Sequence, residues 1–146
     1  MIVKLLLPLL ALISGMTQTL QSQINGNLGK KIGVIESSFM NFALGTLALL
    51  FILLFFGNGH ISAISTVPKW QIIGGFLGVF FVIVQIIVVP KIGVSTTFIA
   101  VIAGQIILSV LIDHFGLFGA IQRPIDLNRV MAIVFLCLAL FFYVKK

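Results

Sequence analysis

Apolar residues in this chain neither alternate nor recur at every third or fourth position. They run on for whole segments and are broken only by short polar or glycine-containing stretches. A helix that crosses about 30 Å of hydrocarbon needs about 20 such residues. The pattern therefore predicts an all-α membrane protein with five transmembrane helices, over about 5–24, 34–56, 70–89, 95–115 and 130–144. The first opens with Lys4 and Pro8, a proline tolerated in a first helical turn, and Gly26-Asn27-Leu28-Gly29 predicts its end. The fifth has only 15 uncharged residues, Val130 to Val144, so Arg129, Lys145 and Lys146 are expected to extend it by snorkelling to the interface. Trp70 and Tyr143 stand at span ends, where amphipathic rings favour the headgroup layer. Gly57-Asn58-Gly59 and Gln122-Arg123-Pro124 are turn chemistry. No connection is long enough for a separate soluble domain, so residues 1–146 form one transmembrane domain. Lys4 followed by Leu5–Ile13 also fits the opening of a secretory signal, but four more spans follow and no small-x-small cleavage site does.

Composition sharpens this picture. The chain has 146 residues, 60% hydrophobic and 8% charged, with a mean hydropathy of +1.28; soluble domains carry about 25% charged residues. That excludes a soluble enzyme, a nucleic-acid module and a disordered chain. Nine Lys+Arg against three Asp+Glu give a net charge of +6. The basic residues sit singly or in pairs at the ends of apolar runs, as in membrane proteins, so no nucleic-acid partner is expected. Cys137, the single cysteine, forms no intrachain disulfide.

Lys31-Ile32-Gly33-Val34 recurs as Lys91-Ile92-Gly93-Val94 at an offset of 60. Phe39, Gly45, Phe56 and Gly57 recur as Phe98, Gly104, Phe115 and Gly116 at an offset of 59. Spans one and two thus read as a duplicate of spans three and four, with span five added. Chance agreement within an apolar chain is the alternative. On the face where the N-terminus lies, Lys4, Lys69, Arg123 and Arg129 make four basic residues; on the other, Lys30, Lys31, Lys91, Lys145 and Lys146 make five. An excess of one scarcely orients a protein. This predicts dual topology, with copies pairing antiparallel and forming by assembly the inverted repeat of many transporters. A single orientation carried by the Lys30-Lys31 and terminal lysine pairs is the other reading.

Polar groups in hydrocarbon need partners, and ionisable ones are candidates for function. Gln18, Gln21 and Asn25 share one helical face. Glu36, Ser37, Ser38 and Asn41 open span two, Gln85 lies late in span three, and Gln105 is near mid-depth in span four. Asp113, followed by His114, sits near the end of span four; an antiparallel partner would bring its Asp113 to the depth of this chain's Gln18–Asn25 face and Glu36. Plainer readings stand beside these. Asp113 and His114 would only reach the headgroup layer, Glu36 would only complement a helix dipole, and the amides would only tie helices together. Gly74, Gly75 and Gly78 form a GxxxG-type face expected to pack helices closely.

Gln21-Ser22-Gln23-Ile24-Asn25 followed by Leu28-Gly29, then Phe42-Ala43-Leu44-Gly45-Thr46-Leu47, Ala103-Gly104-Gln105 and Asp113-His114-Phe115-Gly116-Leu117, resemble the YdcZ-like family. These are small bacterial inner-membrane proteins of the drug/metabolite transporter superfamily. The resemblance spans nearly the whole chain, and the segment from Asp113 to Gly116 is its most specific part. It implies a multi-pass protein of the bacterial inner membrane with five helices and a transport role, as a homodimer or a heterodimer with a paralogue. Small relatives in that superfamily work as antiparallel dimers, some exporting cations by proton exchange. They carry a coupling glutamate in the first helix, whereas span one here has no acid.

The expected function is therefore a secondary transporter or exporter of a small molecule, driven by protons, with membrane lipid around it and no cofactor or metal. A carboxylate bordering a cavity can trade a proton for a cationic substrate. Asp113 is expected to do so, with His114 beside it, Glu36 as second acid, and Gln18, Gln21, Asn25 and Gln105 lining the path. A passive channel and an accessory membrane subunit are the alternatives. No nucleophile–base pair, phosphate loop or metal-ligand cluster points to an enzyme.

Overall fold

A computed structural model describes the backbone of residues 2–145 and the side chains of 6–143 and 145; of the charge count, the Lys4 side chain and Lys146 lie outside what is described. The described residues form five α-helices: α1 (Ile2–Ile32), α2 (Val34–Phe56), α3 (Gly74–Ile92), α4 (Val94–Phe115) and α5 (Leu127–Val144). Short 3₁₀ turns occupy Ile61–Thr66, Lys69–Ile73 and Leu117–Gly119. The segments Val34–Phe56, Lys69–Ile92 and Val94–Phe115 are long and apolar enough to cross a membrane, and Leu127–Tyr143 is a shorter apolar helix.

The start expected at 70 for span three is a 3₁₀ turn, with α3 proper opening at Gly74, and three further boundaries differ from expectation. First, α1 continues through Gly26 and Gly29 to Ile32, and because it starts at Ile2, Pro8 lies beyond its first turn. The two glycines do not end the helix; they let α3 approach it. A Cβ on Gly26 would stand 3.3 Å from Cγ of Pro90, and one on Gly29 would overlap Cγ2 of the buried Ile86. Second, α3 runs through Pro90 to Ile92. A proline forfeits its own backbone hydrogen bond in a helix, but here its ring covers Gly26. Third, α5 begins at Leu127 because Asp126 caps it, its carboxylate accepting from the Arg129 N–H at 2.9 Å. The added turn lengthens the helix to 18 residues, about 27 Å.

The close approach at Gly29 carries a test. Gly29→Ala is expected to destabilise the protein by about 1–3 kcal/mol through overpacking against Ile86. Gly15→Ala, on the same helix with nothing within 4 Å of its Cβ position, is expected to be neutral or to stabilise it by up to about 1 kcal/mol. Unfolding in detergent micelles measures both; equal effects would remove Gly29 from the contact.

The two Lys-Ile-Gly-Val runs make matching joints. One glycine alone separates α1 from α2 and α3 from α4. Gly33 has φ 105° and ψ 154°, Gly93 φ 85° and ψ 159°, a region effectively reserved for glycine. Each glycine carbonyl accepts the N–H four residues on, from Ser37 at 3.0 Å and from Thr97 at 3.2 Å.

The chain divides into two compact units, residues 1–91 and 92–146. In the first, α1 packs along α2, α3 meets α1 through Gly26 and Gly29, and Gly78 of α3 faces the Phe42 ring of α2. Of the glycine face expected to pack α3, Gly78 meets Phe42; among the described residues a Cβ on Gly74 or Gly75 would meet nothing within 4 Å. In the second, α4 packs on α5, with Ala103 and Val110 buried.

The polarity of the molecule is inverted relative to a soluble domain. Its buried side chains include Ser22, Asn25, Ser37, Ser38, Gln85 and Thr97, while Leu54, Phe56, Phe76 and Phe80 are 69–75% exposed. Such a surface is stable only in hydrocarbon. Lipid is as apolar as leucine, so burial of leucine does not drive these helices together; close packing and hydrogen bonds do.

Candidate functional site

Polar side chains in the apolar helices first satisfy themselves. Thr17 and Thr19 donate to the carbonyls of Ile13 and Gly15, and Ser38 to that of Val34, each one turn back. Gln21 and Asn25 of α1 converge instead on Asn41 of α2. Its Oδ1 accepts from Gln21 Nε2 and from Asn25 Nδ2, each at 3.0 Å. One turn nearer the joint, the wholly buried Ser37 donates to the Asn25 carbonyl at 3.0 Å. The face of α1 foreseen from the three- and four-residue spacing is thus joined to α2. Its remaining capacity is unspent: among the described residues, the Gln21 and Asn25 side-chain carbonyls accept nothing and Asn41 Nδ2 donates nothing.

Gln18, one turn earlier on α1, is half-buried and makes no such bond. Gln85 of α3 is 3% exposed and its Oε1 has no partner among the described residues. Glu36 is exposed in the first turn of α2, with its carboxylate folded back against Gly33. A carboxylate there complements the helix N-terminus. No ion pair of Glu36 occurs among the described residues.

In the second unit, Asp113 and His114 organise the connection from α4 to α5. The Asp113 carbonyl accepts from Arg123 N at 2.8 Å. The His114 carbonyl accepts from Gln122 Nε2 at 3.2 Å, and its ring Nδ1 accepts from Ile125 N at 3.3 Å. The ring also meets Phe115 edge-on, 4.8 Å between centroids. Through these two bonds His114 ties the end of α4 to the segment that leads into α5. The turn itself is made by Gly116 at φ 63°.

Beyond the turn, Asp113 Oδ2 lies 3.5 Å from Arg129 Nη1. That nitrogen is buried and makes no hydrogen bond, so the two groups are paired by charge and not by a bonded fork. The Asp113 carboxylate keeps 40% exposure. Asp126 and Arg129 are the residues that sequence reasoning missed as partners here. An aspartate one residue before an apolar helix is an N-cap signal that would have found the first. The second needed the fold of the connection. Gln105 is exposed on α4.

Chemically, these are two different surfaces. The first unit offers neutral amide donors and acceptors among apolar walls. The second offers one acid, weakly held by an arginine, at the end of a helix. No group of three or more metal-ligating side chains occurs among the described residues.

No curated protein and no solved structure matches the chain. A family model described as "Putative inner membrane exporter, YdcZ" matches residues 6–142. That match takes in α2, α3 and α4 entire, both glycine joints, the amide cluster and the Asp113–Arg129 pair, and it agrees with an exterior made for lipid. The chain belongs to the YdcZ family of multi-pass inner-membrane proteins.

Proposed function

We propose that the protein is a secondary exporter of a small polar or cationic molecule, crossing the membrane five times and working as an antiparallel dimer or as a heterodimer with a paralogue. The observation that carries this reading is the amide cluster: Gln21, Asn25 and Asn41 share one acceptor and keep the rest of their hydrogen-bonding groups free, within helices whose outer surfaces are apolar. A helix clamp would spend those groups on each other. A path for solute keeps them for a passing ligand. Gln18, one turn earlier on α1, extends that path.

Coupling to protons falls to Asp113. An acid held by an arginine at 3.5 Å without a hydrogen bond can take up a proton and release the arginine, or take a cationic substrate in its place. His114 beside it fixes the connection through which Arg129 is brought near. Glu36, folded against its own helix end, serves as the second acid.

Asp113→Asn tests the coupling. Exchange of a cationic test substrate in proteoliposomes is expected to lose its dependence on a pH gradient, while the protein still elutes as a dimer. Unchanged pH-dependent exchange would take Asp113 out of the mechanism.

A further inference from the structure

Where α1 turns into α2, the first unit holds a cleft of about 410 Å³ flanked by Lys30 and Lys91 and walled by Val34, Ile86, Ile87 and Pro90. Both lysines are exposed. Among the described residues the one ion pair is that of Asp113 and Arg129, so neither lysine is neutralised. Lys31 stands next to Lys30. Glu36, the single acid of residues 1–91, keeps its carboxylate over Gly33. The end of this unit is therefore a basic rim over apolar walls.

The two kinds of lining call for a ligand with two kinds of surface. An inorganic anion would use the lysines and leave the Ile86, Ile87 and Val34 walls unused. A zwitterionic lipid brings its own cation to a site that already has uncompensated positive charge. An anionic phospholipid satisfies both: its phosphodiester meets the ammonium groups and its acyl chain lies along the isoleucines and valine. The lysines stand near the ends of α1 and α3, where headgroups lie, and basic clefts between spanning helices recognise anionic headgroups. We infer that this cleft binds the headgroup of an anionic phospholipid between Lys30 and Lys91.

Native mass spectrometry of the detergent-solubilised protein, titrated with phosphatidylglycerol or phosphatidylcholine, reads the site. Each lysine near the surface contributes about fivefold to anionic-lipid affinity. Lys91→Gln is thus expected to weaken phosphatidylglycerol binding about fivefold, and Lys30→Gln with Lys91→Gln about 25-fold. Lys69→Gln, which removes an equal charge from the start of the turn before α3, is expected to leave it unchanged. Should the double variant fail to fold, Lys91→Gln alone against Lys69→Gln decides. Equal binding of phosphatidylcholine, equal loss in Lys69→Gln, or displacement of the lipid by equimolar inorganic phosphate would each overturn the proposal.

Discussion

Asn41→Leu is expected to abolish export in proteoliposomes, while lowering stability by only about 1–3 kcal/mol. Leucine keeps the γ-branched outline of asparagine and is at home in hydrocarbon, so the main change is the loss of hydrogen-bonding groups. The substitution removes the acceptor shared by Gln21 Nε2 and Asn25 Nδ2 and strands two donors. Hydrogen bonds between spanning helices average about 0.6 kcal/mol, which keeps the stability loss modest. The effect on transport is far larger if the three amides are the surface on which solute exchanges its hydrogen bonds. Ser37→Ala separates the two consequences. It cuts a further tie of the same hairpin, from Ser37 Oγ to the Asn25 carbonyl, at a cost of about 1 kcal/mol, and is expected to leave export intact. Wild-type flux through Asn41→Leu would make the cluster a clamp and nothing more.

Gly33→Ala and Gly93→Ala are each expected to deplete folded protein in the membrane severalfold, and Gly33→Ala to be the worse. Both glycines combine a positive φ with ψ near 155°, a conformation that costs an L-residue of order 1–3 kcal/mol. With a single residue between helices there is no neighbour to take up the change. At Gly33 the new methyl also collides with the Glu36 carboxylate, whereas at Gly93 it meets nothing within 4 Å. Asparagine distinguishes strain from crowding. Gly116, at φ 63° and ψ 31°, lies in the left-handed helical region that asparagine tolerates, so Gly116→Asn is expected to express normally. Gly33→Asn is expected to fail, because ψ there lies outside that region. Membrane-extracted yield and thermal unfolding of the four variants check this; a stable Gly33→Asn would show that the joint has slack.

The spans that the hydropathy pattern marked most cleanly are those that form as marked: 34–56 matches α2 and 95–115 matches α4 to one residue. Hydrophobic length decides such helices, and length is visible in a chain. Glycine and proline misled where their role is contact and not termination. Gly26 and Gly29 predicted an end, yet α1 continues because α3 needs the space that a side chain would fill. Span three is expected to end at 89, yet α3 continues through Pro90, whose ring covers Gly26. The shared face of Gln21 and Asn25 was legible from spacing, but that both converge on Asn41 required knowing how α1 lies against α2. For Asp113, the sequence suggested an acid facing a cavity. The fold supplies Arg129, sixteen positions away, as its neighbour, and periodicity carries no hint of a contact made through a bent connection.

The inverted polarity of the molecule bears on what its residues can record. Where Phe, Leu, Ile and Val on the outer surfaces meet only lipid, exchanging one for another leaves that contact as it was. Individuality resides in a sparse inner script of small and polar letters: the glycines that set spacing, the amides around Asn41, and the pair at Asp113 and Arg129.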